Sequence, residues 1–186
     1  MVYRVALWGG FTLRGYGKLG FGNDLPFYKN FYAGGYGSVR GYDNSSLGPK
    51  YPSVIFQATD NEDKDPEEVG GNALVQFGTE LALPLPFKGD WTRQVRPVLF
   101  AEGAQVFDTQ CNVPNGDILV DGTAVDIKQY CKDNYKFDMN NMRYSVGAGF
   151  TWITMIGPLS LSYAYPLNDK KGDITKSVQF EIGRTF

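Results

Sequence analysis

The residues that could support catalysis are few, and their types argue against an enzyme. The sequence contains no histidine, the side chain that most often acts as a general base near neutral pH and that frequently binds metals. No hydroxyl or thiol can therefore be paired with a base in any of the usual nucleophilic arrangements. We predict that the chain has no catalytic site, and we expect no cofactor and no metal ion.

An acidic run at residues 60–65 is the first candidate for a cation site. A calcium loop needs ligands at fixed spacing and a glycine at its turn, and this run has neither. A solvated loop is therefore the better interpretation. The close glycine pairs Gly15 and Gly17, and Gly147 and Gly149, lack the context of a phosphate-binding loop, so we interpret them as strand glycines that ease bending or close packing.

The two cysteines, Cys111 and Cys131, lie within one polar stretch. In an oxidising compartment they would form a disulfide inside that loop, whereas in the cytosol they would be two free thiols. A metal site is disfavoured, because neither a histidine nor a second cysteine pair is present.

Strand-like segments recur along the chain and must position these residues. We predict six strands, at 2–18, 71–86, 92–109, 143–156, 159–167 and 176–186. The last segment alternates most clearly, with Val178, Phe180 and Ile182 on one face and polar residues or glycine between them. Such alternation fits a soluble β-sandwich, or a membrane barrel whose apolar face meets lipid and whose polar face lines the lumen.

The connections favour the membrane barrel. The stretches 19–70 and 110–142 are long and polar, 168–175 is a shorter polar loop, and they alternate with tight turns at 84–90 and 156–158. Outer-membrane barrels place short turns on the periplasmic side and longer loops outside. No stretch approaches the roughly 20 apolar residues that a transmembrane helix needs.

Composition and strand number complete the prediction of fold class. The chain has 23 Gly, 12 Tyr and 13 Phe, and aromatic residues such as Trp8 and Trp152 lie towards strand ends, where aromatic girdles form in membrane barrels. Six strands are fewer than the 8 or so of the smallest membrane barrels. We predict an all-β fold, an antiparallel transmembrane β-barrel segment of about six strands that is an incomplete barrel with long extracellular loops.

The end of the chain resembles the C-terminal signal of bacterial outer-membrane proteins. Its polar, apolar, glycine and final aromatic positions are Gln179, Phe180, Ile182, Gly183 and Phe186. The resemblance implies that 176–186 is the closing strand, that the chain resides in the bacterial outer membrane, and that outer-membrane lipids surround it.

The stretch from 26 to 50 resembles the sixth extracellular loop of the BamA family of outer-membrane protein assembly factors. Its centre reads Val39, Arg40, Gly41 and Tyr42, with Phe-Tyr-Ala-Gly-Gly before it and Leu-Gly-Pro-Lys after it. The similarity continues to Tyr163-Ala164-Tyr165-Pro166 and covers essentially the whole chain. We therefore interpret 1–186 as the C-terminal part of an outer-membrane barrel, with 19–70 as a lumenal or extracellular loop.

The resemblance implies that this loop folds back into the lumen, where Arg40 meets acidic residues of the barrel wall. The matching positions are Glu80 and Glu102. An arginine on a glycine-rich loop needs a carboxylate partner where water is restricted, and its planar fork can bind one through two hydrogen bonds. Taken alone, Arg40 would be a solvated loop charge. Alternation supports a lumen-facing Glu80, whereas Phe100 and Ala104 blur the pattern around Glu102.

The resemblance implies a part in folding and inserting outer-membrane proteins. Expected partners are client outer-membrane proteins, the remaining barrel strands, and assembly lipoproteins reached through periplasmic domains that this chain lacks. The segment alone is not expected to be competent, and its exposed strand edges could pair copies into a homo-oligomer. The start at Met1 is interpreted as a cut or engineered one.

Three other functions stay open on the sequence alone. They are the pore-forming barrel of a two-partner secretion or translocation relative, a passive channel constricted by the long loop, and a soluble β-sandwich binding module. A nucleic-acid partner is not expected, because the net charge of −2 gives no basic footprint.

Overall fold

A computed structural model describes residues 1–50, 68–85, 89, 94–111, 117–120, 123–155, 157–170 and 172–183. The acidic run at 60–65, most of the turn at 84–90 and the terminal Phe186 lie outside these ranges.

The regular secondary structure of the described chain consists almost entirely of antiparallel strands. In chain order they are β1 Val2–Ala6, β2 Thr12–Phe21, β3 Gly41–Tyr42, β4 Ala73–Ala82, β5 Val95–Phe107, β6 Asp117–Val120, β7 Thr123–Asp126, β8 Arg143–Thr154, β9 Gly157–Pro166, β10 Thr175–Lys176 and β11 Val178–Ile182. One α-helix, α1 Ile127–Asn134, follows β7, and the side chain of its N-cap Asp126 accepts a hydrogen bond from the backbone N–H of Gln129.

Seven of these strands form one open sheet. Their order is β1-β2-β4-β5-β8-β9-β11, and every neighbouring pair is antiparallel. Strands β3 and β10 pair with each other, as do β6 and β7. Within the described ranges, β1 and β11 each have one neighbour, so the sheet is not closed. The predicted all-β, antiparallel and incomplete barrel architecture is confirmed.

The first predicted strand, 2–18, is a hairpin rather than one strand. Strands β1 and β2 are joined by a turn in which Gly9 and Gly10 have φ of 79° and 86°, a left-handed conformation that glycine adopts without steric cost. Because the turn is flanked by the apolar residues Leu7 and Phe11, hydrophobicity does not drop at the turn, and the sequence pattern does not mark it. The sheet consequently has seven strands, one more than predicted.

The two faces of the sheet differ sharply in polarity. The outward face carries large apolar side chains that remain exposed, including Leu19, Phe77, Phe150, Tyr163 and Phe180. The inward face carries buried polar side chains, including Gln76, Glu102, Ser145, Ser162 and Gln179. Covering so much apolar surface with lipid is favourable, at about 25 cal/mol per Å² removed from water, and this arrangement is the one that membrane barrels adopt.

No helix in the described ranges is both long enough and apolar enough to cross a membrane.

The described part of the first long connection, residues 22–50, folds back against the inward face and forms the main apolar cluster. Its residues Ala33, Val39, Tyr42 and Leu47 pack against Leu74, Ala104 and Val106 of β4 and β5. Glycine makes the tight fold possible: Gly35 has a φ of 83°, and a Cβ there would lie 1.8 Å from Oδ1 of Asn44. The loop is therefore held inside the curve of the sheet.

Candidate functional site

Arg40 lies at the tip of this inward-folded loop, immediately before β3, and is only 3% exposed. Its closest partner is Glu102 of β5. The backbone N–H of Arg40 donates to Oε2 at 2.8 Å, while Nε and Nη2 donate to Oε1 at 3.0 and 2.5 Å. Both the guanidinium and the main chain of the loop are thus bound to one carboxylate, which fixes the loop in position as well as in orientation.

Glu80 of β4 provides the second carboxylate. Nη2 of Arg40 donates to Oε1 of Glu80 at 2.7 Å. On its other side, Glu80 faces Arg14 of β2, with Nη1 and Oε2 separated by 3.5 Å. Arg14 and Glu80 are direct cross-strand partners in the ladder. Two arginines and two glutamates therefore alternate, so the buried charges balance.

Tyr16 of β2 also reaches the site, although a strand lies between it and Glu102. Its hydroxyl donates to Oε1 of Glu102 at 2.8 Å. The register places Gly78 of β4 between the two residues. A Cβ on Gly78 would lie 2.5 Å from the tyrosine ring, so glycine at this position allows the ring to cross the strand.

Phe100 of β5 forms the apolar floor of the site. The centre of its ring lies 3.5 Å from Cζ of Arg40, and the ring of Tyr36 approaches the same guanidinium at 5.4 Å. Both contacts are cation–π interactions, which strengthen when the cation is desolvated. Gly147 faces Phe100 across the ladder, and a Cβ there would lie 2.4 Å from the ring. The ring therefore occupies the space that glycine leaves.

The electrostatic balance keeps Arg40 charged. Burial by itself disfavours the cation, but the charges and hydrogen bonds of Glu102 and Glu80 outweigh burial and raise the pKa of Arg40 above its ordinary value. The described polar side chains Arg40, Glu80, Glu102 and Tyr16 are bound to one another by hydrogen bonds. The chemistry of the site is that of a fixed, charge-balanced contact, which specifies a position more than it adds stability.

The other residues of the motif also lie in the wall contact. Val39 and Tyr42 are fully buried, and Gly41 has a φ of 96° with only 3.3 Å between its notional Cβ and Cβ of Ala164. The hydroxyl of Tyr42 donates to the carbonyl of Tyr144 on β8 at 3.4 Å. The motif thus contacts β8 and β9 as well as β5.

The predicted C-terminal signal falls on and just after β11. Phe180 and Ile182 are exposed on the outward face, whereas Gln179 is buried and its Nε2 donates to the carbonyl of Tyr42 at 2.6 Å. Gly183 ends the strand with a φ of 84°. The predicted final residue, Phe186, lies outside the described residues.

Cys111 and Cys131 form a disulfide that joins the end of β5 to helix α1. Both are buried, and Oδ1 of Asp108 accepts hydrogen bonds from the backbone N–H groups of Gln110 and Cys111. In the described part of the chain, these two cysteines and Asp108 form the one grouping of metal-ligating residue types. Because the sulfurs are bonded to each other, they offer no thiolate to a metal.

The structure brings Arg40, Glu80 and Glu102 together, and adds three residues that the sequence did not identify. Arg14, Tyr16 and Phe100 complete the site. The alternation of Arg14, Tyr16 and Lys18 with Leu13 and Leu19 was the available signal that the first two face inward. Their contacts depend on register between strands, which alternation alone does not give. Phe100 faces inward because it lies two residues before Glu102 on β5, and its contact with Arg40 explains an apolar residue on this polar face.

Comparisons with known proteins agree with this architecture. A family model described as the Omp85 superfamily domain matches residues 1–186. The outer membrane protein assembly factor BamA of Neisseria meningitidis is 36% identical over 172 residues, which are 92% of this chain and 20% of that protein. The human sorting and assembly machinery component 50 homolog is 27% identical over 192 residues, which are 100% of this chain and 33% of that protein.

A solved structure is similar over nearly the whole chain. It is the crystal structure of BamA from Haemophilus ducreyi lacking POTRA domains 1–3, with a TM-score of 0.72, 30% identity, and coverage of 96% of this chain and 32% of that chain. The chain therefore spans between about a fifth and a third of the length of these relatives. The resemblance to the BamA family is confirmed, and the chain belongs to the Omp85 superfamily.

Proposed function

We propose that residues 1–186 are the C-terminal part of the barrel wall of an outer-membrane protein assembly factor. In this role the segment takes part in folding and inserting other outer-membrane proteins into the bacterial outer membrane. The observation that carries the proposal is the buried contact of Arg40 with Glu102 and Glu80 at the tip of an inward-folded loop. The similarity to two BamA proteins over more than nine-tenths of the chain supports it.

In this proposal, the four motif residues Val39, Arg40, Gly41 and Tyr42 hold the loop inside the lumen, and the two glutamates anchor them. A passive pore needs only a constriction, whereas this loop is bound through main chain, side chain and ring contacts at once. Such a contact maintains one barrel shape, which an assembly factor needs while it offers a strand edge to its client.

The edge of the closing strand is the proposed docking site for client strands. Strand β11 carries the signal residues Gln179, Phe180 and Ile182, and in the described chain it pairs only with β9. An unpaired edge presents backbone donors and acceptors that bind another strand by β-augmentation. Client outer-membrane proteins are the proposed ligands. Assembly lipoproteins, contacted through periplasmic domains of the full protein, are the proposed accessory partners.

A charge-reversal experiment tests the role of the loop contact. Arg40→Glu places a third carboxylate beside two others, so the full-length protein in liposomes should lose most of its insertion of a model barrel client. Combining it with Glu102→Arg should restore part of that activity. Lys128→Glu, on the exposed surface of α1, is the matched control and should leave insertion unchanged. Absence of rescue, both with Glu102→Arg and with Glu80→Arg, would count against the proposal.

The segment by itself should pair through its edges. We propose that isolated copies associate edge to edge, because β1 and β11 both lack a second neighbour among the described strands. Chemical cross-linking in detergent should give dimers or larger species. A strictly monomeric segment would contradict this part of the proposal.

A further inference from the structure

The closing strand is held from two directions. Strand β11 pairs with β9 over five residues, from Val178 to Ile182. The residues just before β11 pair with the loop that carries Arg40: β10 pairs with β3, placing Thr175 opposite Tyr42 and Lys176 opposite Gly41. The backbone N–H of Asp43 also donates to the carbonyl of Ile174 at 2.8 Å. The loop therefore contacts the approach to the closing strand as well as the distant wall.

Gln179 extends this contact into the closing strand itself. It is 6% exposed, and its Nε2 donates to the carbonyl of the fully buried Tyr42 at 2.6 Å. The ion pair between Lys176 and Asp43 lies nearby, but its atoms are 3.6 Å apart and both side chains are more than one-third exposed, so it contributes little. Of the described side-chain contacts between β11 and the motif, the buried one is that of Gln179.

The chemistry of Gln179 indicates that its amide serves as a donor. Its Oε1 is buried and has no hydrogen-bond partner in the described chain, and neither has Oγ of Ser162, which lies opposite it on β9. A buried acceptor without a partner is costly, so the surroundings of Oε1 by themselves do not favour an amide. The hydrogen bond from Nε2 to Tyr42 is the described contact that an apolar residue cannot replace.

We propose that Gln179 is a positioning residue that couples the contact of Arg40 with Glu80 and Glu102 to the closing strand β11. Tyr42 is two residues from Arg40, so the loop forms a brace. One end of the brace is fixed to Glu80 and Glu102 on β4 and β5, and the other end holds β11. While Arg40 is bound, the brace keeps β11 against β9. When either end is released, β11 separates more easily from β9, so the strand that carries the free edge is held less firmly. This inference rests on the proposed function only in taking β11 as the edge that clients meet.

Hydrogen exchange measured by mass spectrometry on the full-length protein in liposomes tests the brace. Gln179→Met keeps the length of the side chain and removes the donor, and Gln179→Glu keeps the shape and replaces the donor with an acceptor. Each variant should accelerate exchange of the backbone amides at 174–182 by roughly tenfold, the effect of losing one buried hydrogen bond. Exchange at 73–82 should not change. Ser162→Ala is the matched control, because its hydroxyl has no described partner, and it should behave like the wild type.

The coupling itself needs a double-mutant cycle. Arg40→Met should also accelerate exchange at 174–182. In the variant that combines Arg40→Met with Gln179→Met, the acceleration should be smaller than the product of the two separate accelerations, because both substitutions break the same brace. Unchanged exchange at 174–182 in Gln179→Met, or independent effects in the double variant, would overturn the proposal. Client insertion is measured on the same samples. A wild-type protein that exchanges as expected but inserts no client would contradict the proposed function and leave the brace supported.

Discussion

Glu102 and Glu80 both bind Arg40, but the structure predicts that they contribute unequally to stability. The side chain of Glu102 is 2% exposed and that of Glu80 is 15% exposed. Glu102 accepts three hydrogen bonds from Arg40 and one from Tyr16, whereas Glu80 accepts one from Arg40 and faces Arg14 at 3.5 Å. The test is to replace each with glutamine, which keeps the shape and removes the charge.

The expected magnitudes follow from burial and from the number of hydrogen bonds. Glu102→Gln weakens several charge-assisted hydrogen bonds to a side chain that is only 2% exposed, so it should lower the free energy of unfolding by about 3 kcal/mol. Glu80→Gln weakens one such bond at a wetter position and should cost about 1 kcal/mol. Arg40→Met removes the shared cation and leaves the buried Glu102 without it, while Glu80 still faces Arg14, so it should cost about 3–5 kcal/mol.

Urea unfolding of the full-length protein in liposomes, followed by the shift in electrophoretic mobility of the folded barrel, measures these differences. Lys128→Gln, on the exposed side of α1, is the control and should change the free energy by less than about 0.5 kcal/mol. A cost for Glu80→Gln equal to or larger than that for Glu102→Gln would refute the reasoning from burial. So would an Arg40→Met variant as stable as the control.

Three further changes test the packing around the site, by the same unfolding assay unless stated. Gly147→Ala places a Cβ 2.4 Å from the Phe100 ring and should lower the free energy of unfolding by more than about 2 kcal/mol. Gly15→Ala, with nothing within 4 Å of its Cβ, is the control and should be nearly neutral. Equal effects of the two substitutions would contradict this reasoning. Phe100→Leu keeps an apolar side chain but removes the ring beneath the guanidinium, and should lower the free energy of unfolding by about 1–2 kcal/mol. Most of this loss should disappear when Arg40→Met is also present. A loss that is the same with and without Arg40→Met would exclude the cation–π contact. Replacing both Cys111 and Cys131 with serine opens a loop of about 20 residues, and the lost restriction of chain entropy should lower the free energy of unfolding by roughly 3 kcal/mol. Proteolysis within 110–142 should become faster, while the electrophoretic mobility of the folded barrel should not change. Loss of the folded band would show that the disulfide supports the wall as well.

The sequence by itself determined the strands and their faces, because alternation is a property of adjacent residues. Five of the six predicted strands each match one strand of the sheet, and the sixth, 2–18, is divided into β1 and β2. The apolar side of β11 is the side on which Phe180 and Ile182 are exposed. The turn at Leu7–Phe11 was not predicted, because its apolar residues keep the hydrophobicity high between β1 and β2. The left-handed conformation of its glycines is known only from their φ angles in the structure. The resemblance of the loop supplied Arg40 and its two acidic partners.

Only the tertiary structure decided which side chains complete the site. The contact of Tyr16 with Glu102 across Gly78, and that of Phe100 with Arg40 opposite Gly147, depend on the register of strands that are distant in sequence. Register is set by hydrogen bonds between strands, and a shift by one residue would turn every one of these side chains to the other face. The hydrogen bond from Gln179 to Tyr42 joins residues 137 positions apart. Alternation predicts that Gln179 faces inward, but only the folded loop places a carbonyl oxygen within its reach.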